Sequence, residues 1–316
     1  MKRCFQTRWL IVASTVSFVL PGLVGRRQAD DQSEYTIRSD VRLVLLDVSV
    51  KNHEGGFVSG LSQSDFAVFE NSRPQRITVF ANEDLPVTMG ILVDESLSMT
   101  PKRAAVLAAA QTFVEESNPR DEVFVLNFND NVRRGLPDQV LFSDNIQQLR
   151  SALERGTPGG KTALNDAIVT GLKQLELGRR DKRTLVMISD GGDNASRHKR
   201  GEMLDLVERS VATIYAIGLY DSEDPDRDPG ILREIAKISG GEVYFPDHPS
   251  DMVPVCRRIA KDIRTRYTIG YIPREEDGKS SLRRIRVRVT KRDHAKFSVR
   301  TRSSYRYDER SHQSNR

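Results

Sequence analysis

The stretch Gly90-Ile91-Leu92-Val93-Asp94-Glu95-Ser96-Leu97-Ser98 decides how the rest of the chain is read. An apolar run of strand length ends in a carboxylate, and two hydroxyls follow at alternate positions, in D-x-S-x-S spacing. These are hard oxygen donors with little negative charge. They suit a small divalent cation of the Mg²⁺ type that keeps part of its water, rather than zinc or copper, which favour nitrogen and sulfur.

Outward from Asp94 the chain alternates between apolar strand patterns and amphipathic helix patterns, as βαβ units around a mainly parallel sheet do. Strands are expected at Val87 to Val93, Glu122 to Phe128, Thr184 to Ser189, Thr213 to Gly218 and Glu242 to Phe245. Helices are expected at Ala104 to Glu116, Asn145 to Leu153, Ala163 to Leu175, Gly201 to Ser210, Gly230 to Ile238 and Ser250 to Arg264. In such a sheet the ligand site lies outside the carboxyl ends of the strands. Two other segments reach that edge. Ser189-Asp190-Gly191-Gly192-Asp193 follows one strand, and Thr157-Pro158-Gly159-Gly160-Lys161-Thr162 opens a helix. Asp94, Ser96, Ser98, Thr162 and Asp190 then surround one point with two carboxylates and three hydroxyls, enough for an octahedral cation completed by water. For a single Asp, capping the next loop or helix would be the simpler duty; five matching positions at one edge favour a cation. Asp193 reads as a turn residue beside Gly191-Gly192, and Glu95 as an exposed side chain.

The flanks read as β structure. Val41 to Val50, Phe66 to Phe69 and Ile77 to Phe80 precede the alternating region, with turns at Asn52 to Gly56 and Asn71 to Pro74, and Tyr267 to Tyr271, Leu282 to Thr290 and Ala295 to Arg300 follow it. These two groups are expected to pair into one small β domain from which the α/β unit emerges as an insertion. The boundaries are 1–25 for an export signal or N-terminal anchor, 26–40 for a linker and 41–85 for the first flank. The α/β domain spans 86–265, the second flank 266–305 and a disordered tail 306–316.

The export signal rests on Lys2, Arg3 and Arg8 before the apolar run Trp9 to Val24, which is short for a membrane span. No small-x-small cleavage pattern follows it, so cleavage and retention as an anchor are both open, and only retention of this segment would attach the chain to a membrane. The location implied is periplasmic or extracellular. Of two cysteines, Cys4 lies in the signal and Cys256 in a helix, where a buried apolar role is expected. The net charge of +5 includes the three basic residues of the signal. The remaining excess gathers near the C-terminus, where Arg284, Arg286 and Arg288 alternate with Ile285, Val287 and Val289. That period of two is a half-buried strand with a solvated cationic face, favoured over a polyanion surface, and no aromatic residues interleave as nucleic-acid binding would want. Nucleic acid is not an expected partner.

With these positions in hand, the chain resembles the von Willebrand factor type A domain, whose metal-ion-dependent adhesion site joins D-x-S-x-S to a distant Thr and a distant Asp. The match falls on Asp94, Ser96, Ser98, Thr162 and Asp190. Gly60-Leu61 to Asp65-Phe66 and Tyr267 to Pro273 extend the resemblance to bacterial proteins with this domain set between β segments. The resemblance implies a Rossmann-like open sheet and a Mg²⁺ (or Mn²⁺ or Ca²⁺) ion bound through the hydroxyls of Ser96 and Ser98, with Thr162 joining when ligand is engaged. Asp94 and Asp190 act directly or through water, and the open coordination position takes a carboxylate from a protein partner. Two positions depart from the pattern. Leu97 stands where the family often has Gly, and Lys161 interrupts the Gly-Gly-Thr approach; a solvated loop charge is the expectation for Lys161.

A non-catalytic binding module is the expected function. One alternative is a structural envelope protein whose cation only stabilises the fold, and a weaker one is a Mg-dependent phosphoryl-transfer enzyme. Gly156 to Thr162 approaches a phosphate-binding P-loop, but Arg155 replaces its first glycine and a helix rather than a strand is expected before it. An aspartyl nucleophile at Asp94 would want a second Asp where Ser96 stands. His53, His198, His248, His294 and His312 show no metal-ligand spacing.

Overall fold

The computed structural model describes residues 43–220, 227–274, 281–290 and 297–307, all within one compact unit. The expected signal, the linker, the tail beyond 307, His294 and His312 lie outside the described residues.

Among the described residues, fourteen strands and six α-helices follow in chain order. The first flank supplies β1 (Val44–Lys51), β2 (Phe66–Glu70), β3 (Arg73–Gln75) and β4 (Ile77–Ala81). The α/β region runs β5 (Val87–Asp94), α1 (Arg103–Glu115), β6 (Glu122–Phe128), β7 (Val132–Arg134), α2 (Ile146–Glu154), α3 (Leu164–Leu175) and β8 (Lys182–Ser189). It continues through α4 (Arg200–Arg209), β9 (Thr213–Gly218), α5 (Pro229–Ser239), β10 (Val243–Tyr244) and α6 (Met252–Thr265). The second flank adds β11 (Tyr267–Tyr271), β12 (Ser281–Val289), β13 (Ser298–Arg300) and β14 (Ser304–Tyr307).

The central sheet has the order β10-β9-β8-β5-β6-β7, parallel throughout except for the antiparallel edge strand β7. Helices cover both faces. α1 packs with α2 and α6, and α4 packs with α3 and α5. Every residue of β5 is buried, which is why its apolar run is continuous rather than alternating. Gly90 makes room at the centre of this layer. It sits between Phe124 of β6 and Leu185 of β8, and a Cβ there would lie 2.3 Å from the Phe124 ring and 2.6 Å from Leu185. Gly90→Ala is therefore expected to cost about 1–3 kcal/mol through overpacking, measured as a lower denaturation midpoint with unchanged slope.

The flanks pair with each other, in two antiparallel sheets of order β13-β1-β11-β4 and β14-β12-β2-β3. β1 pairs with β11 and β13, and β2 with β12, so each sheet draws strands from both ends of the α/β insertion. Leu46, Val48, Phe66, Val68, Ile269 and Val287 belong to one core shared by the two sheets. Asn71 and Ser72, at φ 48° and 67°, form the two-residue turn between β2 and β3, and paired positive φ values match the right-handed twist of a hairpin. The expected turn thus ends at Ser72 and Arg73 begins a strand. β14 likewise carries strand structure through Tyr307, two residues into the expected tail.

A network of buried charge joins this module to the α/β unit. Asp262 of α6, fully buried, accepts hydrogen bonds from Ser49 Oγ of β1 (2.5 Å), Tyr215 OH of β9 (2.7 Å) and Arg266 Nη2 (3.2 Å). Arg266 also donates to the carbonyls of Gly240 (2.9 Å) and Asp47 (3.3 Å). Burial alone would raise the Asp262 carboxyl, but Arg266 and the two hydroxyl donors outweigh it and hold it below the ordinary value. A second buried pair, Arg283 with Glu70 at 2.7 Å, lies inside the β module, where Tyr271 and Tyr305 donate to the same carboxylate.

Candidate metal centre

β5 and β8 are parallel neighbours with Val93 opposite Ile188, so Asp94 and Ser189 leave the sheet side by side. From β5 the chain moves to β6 on one side and later returns to β8 on the other. That reversal of direction is where open α/β sheets leave a crevice for ligand.

Hydrogen bonds tie four of the five candidate residues into a chain. Asp94, 2% exposed, accepts Ser189 Oγ on Oδ2 at 2.6 Å and the Ser96 N–H on Oδ1 at 2.9 Å. The Ser96 and Ser98 hydroxyls are 3.2 Å apart, and Ser98 Oγ donates to Asp190 Oδ2 at 2.6 Å. Asp190, also 2% exposed, accepts the Gly192 N–H on its other oxygen at 3.1 Å. Thr162 is joined to them through the main chain. Its N–H donates to Asn194 Oδ1 (2.9 Å), and its carbonyl accepts the N–H groups of Asn194 and Ala195 (3.0 Å each). Ahead of it, Gly159 N–H donates to the Glu95 carbonyl (2.8 Å) and Leu97 N–H to the Gly160 carbonyl (3.1 Å). The three loops that carry the five residues are thereby laced to one another. Two glycines permit the lacing. Gly160 (φ 80°) lies so close to Asp130 that a Cβ would meet its carboxylate at 1.9 Å, and Gly191 (φ 85°) is pressed against the Asp228 carbonyl.

The electrostatics of this cluster favour a cation. Burial, then the neighbouring Asp190, push the Asp94 carboxyl up to about 7, against the opposing hydrogen bonds from Ser189 and Ser96. Neither carboxylate has an ion-pair partner among the described residues. Two buried acids, each held by its own serine hydroxyl and without an ion-pair partner among the described residues, fit a divalent ion, whose charge would offset the repulsion between them. Among the described residues no group of three or more His, Cys, Asp or Glu side chains is gathered as a metal cluster, so the donors here are chiefly hydroxyls. Ligation requires the deprotonated carboxylate. With Asp94 near 7 in the absence of metal, the apparent dissociation constant for Mg²⁺ is expected to rise about tenfold between pH 8 and pH 6, as calorimetric titrations at the two values would show.

Glu95 corrects the sequence reading. It is buried rather than exposed, at 2%, and Oε2 accepts Arg103 Nε at 2.9 Å. Arg103 at the start of α1 also donates to the carbonyls of Glu154 and Gly156, so this ion pair ties the 94–98 turn to the loop that leads to Thr162. Leu97 projects outward, 69% exposed, beside the hydroxyls, and Lys161 is exposed, as a solvated loop charge would be. Asp193 is exposed and accepts a hydrogen bond from Asn165 Nδ2. The P-loop-like stretch follows the helix α2, as its pattern implied. Cys256 is buried, which raises its thiol well above the ordinary value. Ser189 and Asn194, which orient Asp94 and Thr162, were not singled out from the sequence. The signal for Ser189 was its place one residue before Asp190 on an adjacent strand end; for Asn194 only the contact itself reveals the role.

The family model of the von Willebrand factor type A domain matches residues 89–192, which run from β5 through the Asp190 loop. Over these residues the chain is a von Willebrand factor type A domain. The uncharacterized protein sll0103 of Synechocystis is 23% identical over 197 residues, which cover 60% of this chain and 46% of that protein, so the chain spans about half the length of the curated relative it matches. Among solved structures, proximal thread matrix protein 1 from the mussel byssus superposes with a TM-score of 0.50 at 14% identity, over 62% of this chain and 51% of that one. A von Willebrand factor type A protein from Catenulispora acidiphila gives 0.48 at 14% identity, over 85% and 74%. At these identities the likeness is one of fold.

Proposed function

We propose that this chain is an exported, metal-dependent binding module that grips a carboxylate of a protein partner through a divalent cation. Asp94, Ser96, Ser98, Thr162 and Asp190 would hold the ion, with Mg²⁺ favoured by the oxygen donors and Mn²⁺ and Ca²⁺ as substitutes. The observation that carries this reading is the pair of 2%-exposed carboxylates, Asp94 and Asp190, linked through Ser96 and Ser98 and without an ion-pair partner among the described residues. When bound, the cation supplies an electrophilic position for an incoming carboxylate, because neutral hydroxyl ligands leave its charge largely uncompensated. The chain's own residues orient and shield: Ser189 fixes the rotamer of Asp94, Asn194 fixes the Thr162 backbone, and the Glu95–Arg103 pair holds the turn against α1. Leu97 and Lys161 stand exposed on the loops that carry these ligands and would meet the partner first. Von Willebrand factor type A domains serve generally as interaction modules, and nothing in the donor set calls for covalent catalysis. Export rests on the basic and apolar N-terminal pattern of Lys2 to Val24.

Titrating MgCl₂, MnCl₂ and CaCl₂ into the protein, then adding acetate as a minimal carboxylate, tests the proposal. Saturable stabilisation by metal, with acetate binding that disappears on chelation, is the expected result. Stabilisation without carboxylate binding would favour a purely structural ion, and no metal effect at all would overturn the reading.

A further inference from the structure

β12 turns Ile285 and Val287 into the core and presents Arg284, Arg286 and Arg288 to solvent. None of the three arginines has an ion-pair partner among the described residues. They line a hollow of about 450 Å³ whose wall includes Phe69, with the Arg288 guanidinium 5.5 Å from the centre of its ring. A second hollow of about 450 Å³ lies where β12 and β13 meet α5, and the two share Ile285, Arg286 and Ser303. Arg233, Lys237, Arg300 and Arg302 join Arg286 around the second. Glu242 is the one carboxylate of that lining, and Lys51 and Arg300 already hold it, at 2.6 and 2.7 Å.

Arg302 adds a separate indication. It is 9% exposed, and its partners are the main-chain carbonyls of Ser304 (2.9 Å) and Glu208 (2.7 Å), with no carboxylate among the described residues. Burial lowers the guanidinium to about 10, so it remains charged at neutral pH. A buried cation whose hydrogen bonds go to carbonyl groups alone, with the Glu208 carboxylate acting on it only from a distance, leaves its fork open to a further counter-charge. Concave surfaces of one sign also concentrate the potential that draws an oppositely charged ligand.

We infer that the joined hollows form a groove for an acidic saccharide chain, one that carries carboxylate or sulfate groups. Arginine forks match such oxyanions bidentately, and Ser72, Thr301, Ser303 and Ser304 offer hydroxyl partners for a polyhydroxylated ligand. The Thr301 hydroxyl is buried without a hydrogen bond among the described residues. Single-stranded nucleic acid would want free aromatic faces for its bases, whereas Arg288 covers Phe69 and Arg233 covers Phe245 at 4.5 Å. A bilayer is flat and would leave the hollows empty. This groove makes no use of Asp94 or Asp190.

The test is calorimetric titration of the full chain at low salt with a galacturonic acid hexamer and with a heparin-derived hexasaccharide. Saturable binding of at least one is expected, unaffected by chelator and weakened about tenfold or more by Arg286→Ser. Arg286 is exposed and unpaired among the described residues, so its variant should keep the wild-type melting temperature, and Arg120→Ser, an exposed basic residue elsewhere, should change affinity less than about twofold. Failure of both oligosaccharides to bind overturns the proposal, as do equal losses in the two variants. So would tighter, Arg286-dependent binding of poly-glutamate, an oligodeoxynucleotide or anionic phosphatidylglycerol vesicles.

Discussion

Asp94→Asn is expected to abolish cation binding and, at the same time, to make the metal-free protein more stable at pH 8. The two effects share one cause. In the folded state burial and Asp190 raise the Asp94 carboxyl to about 7 from 3.8. A group with a raised folded pKa of this acidic kind contributes most below its unfolded value and loses that contribution as the pH climbs towards its folded one. At pH 8 the wild-type protein without metal carries the whole penalty, up to about 4 kcal/mol for a shift of this size. Asparagine keeps an acceptor for the Ser96 N–H and a polar partner for Ser189 but carries no charge, so the penalty vanishes. With saturating Mg²⁺ the order reverses, because ligand at one hundred times its dissociation constant adds about 2.7 kcal/mol to the wild type alone. Thermal melts at pH 8, in chelator and in excess Mg²⁺, should therefore cross over between the two proteins. If wild type and variant respond alike to Mg²⁺, the ion does not sit at Asp94.

The largest expected loss of stability is at Asp262. Replacement with Ala removes the acceptor of Ser49, Tyr215 and Arg266 at once and leaves Arg266, 3% exposed, without its counter-charge. Breaking one half of a buried pair costs about 3–5 kcal/mol. The measurement is a urea unfolding curve. Replacing both partners, as Asp262→Leu with Arg266→Met, should cost less than the single change, since no buried charge is then left unmatched. A single variant within 1 kcal/mol of the wild type, by the scale of ordinary surface changes, would show that the network does not bind the two parts of the molecule together.

How far each part could be read in advance follows from what determines it. The central strands and helices were legible because β5, β8 and β9 are long apolar runs separated by amphipathic segments, patterns set by local burial on both faces of a sheet. The five candidate positions were picked out by a related cue: each follows a strand end or opens a helix, and the structure places them at one edge of the sheet. β3, β7 and β14 are three or four residues long and rich in arginine or polar groups, and tertiary pairing alone makes them strands. Buried charge was the deepest blind spot. Glu95 read as an exposed side chain, and nothing in the sequence marked Asp262, Arg266 or Arg283 as buried; for Ser49 and Asp262, or Glu70 and Arg283, the contact spans 213 positions of chain.

The pairing of the flanks also bears on force. β4 and β11 lie side by side, with Ala81 opposite Thr268, so the entrance to the inserted domain and its exit are clamped together. Tension applied at Val44 and Tyr307 would load the hydrogen bonds of β1, β11, β12 and β14 before it could stretch anything between Val87 and Thr265. The inserted domain, with its candidate cation site, would hang beside the line of pull, and the proposed grip would be spared strain until the flanking sheets themselves began to shear.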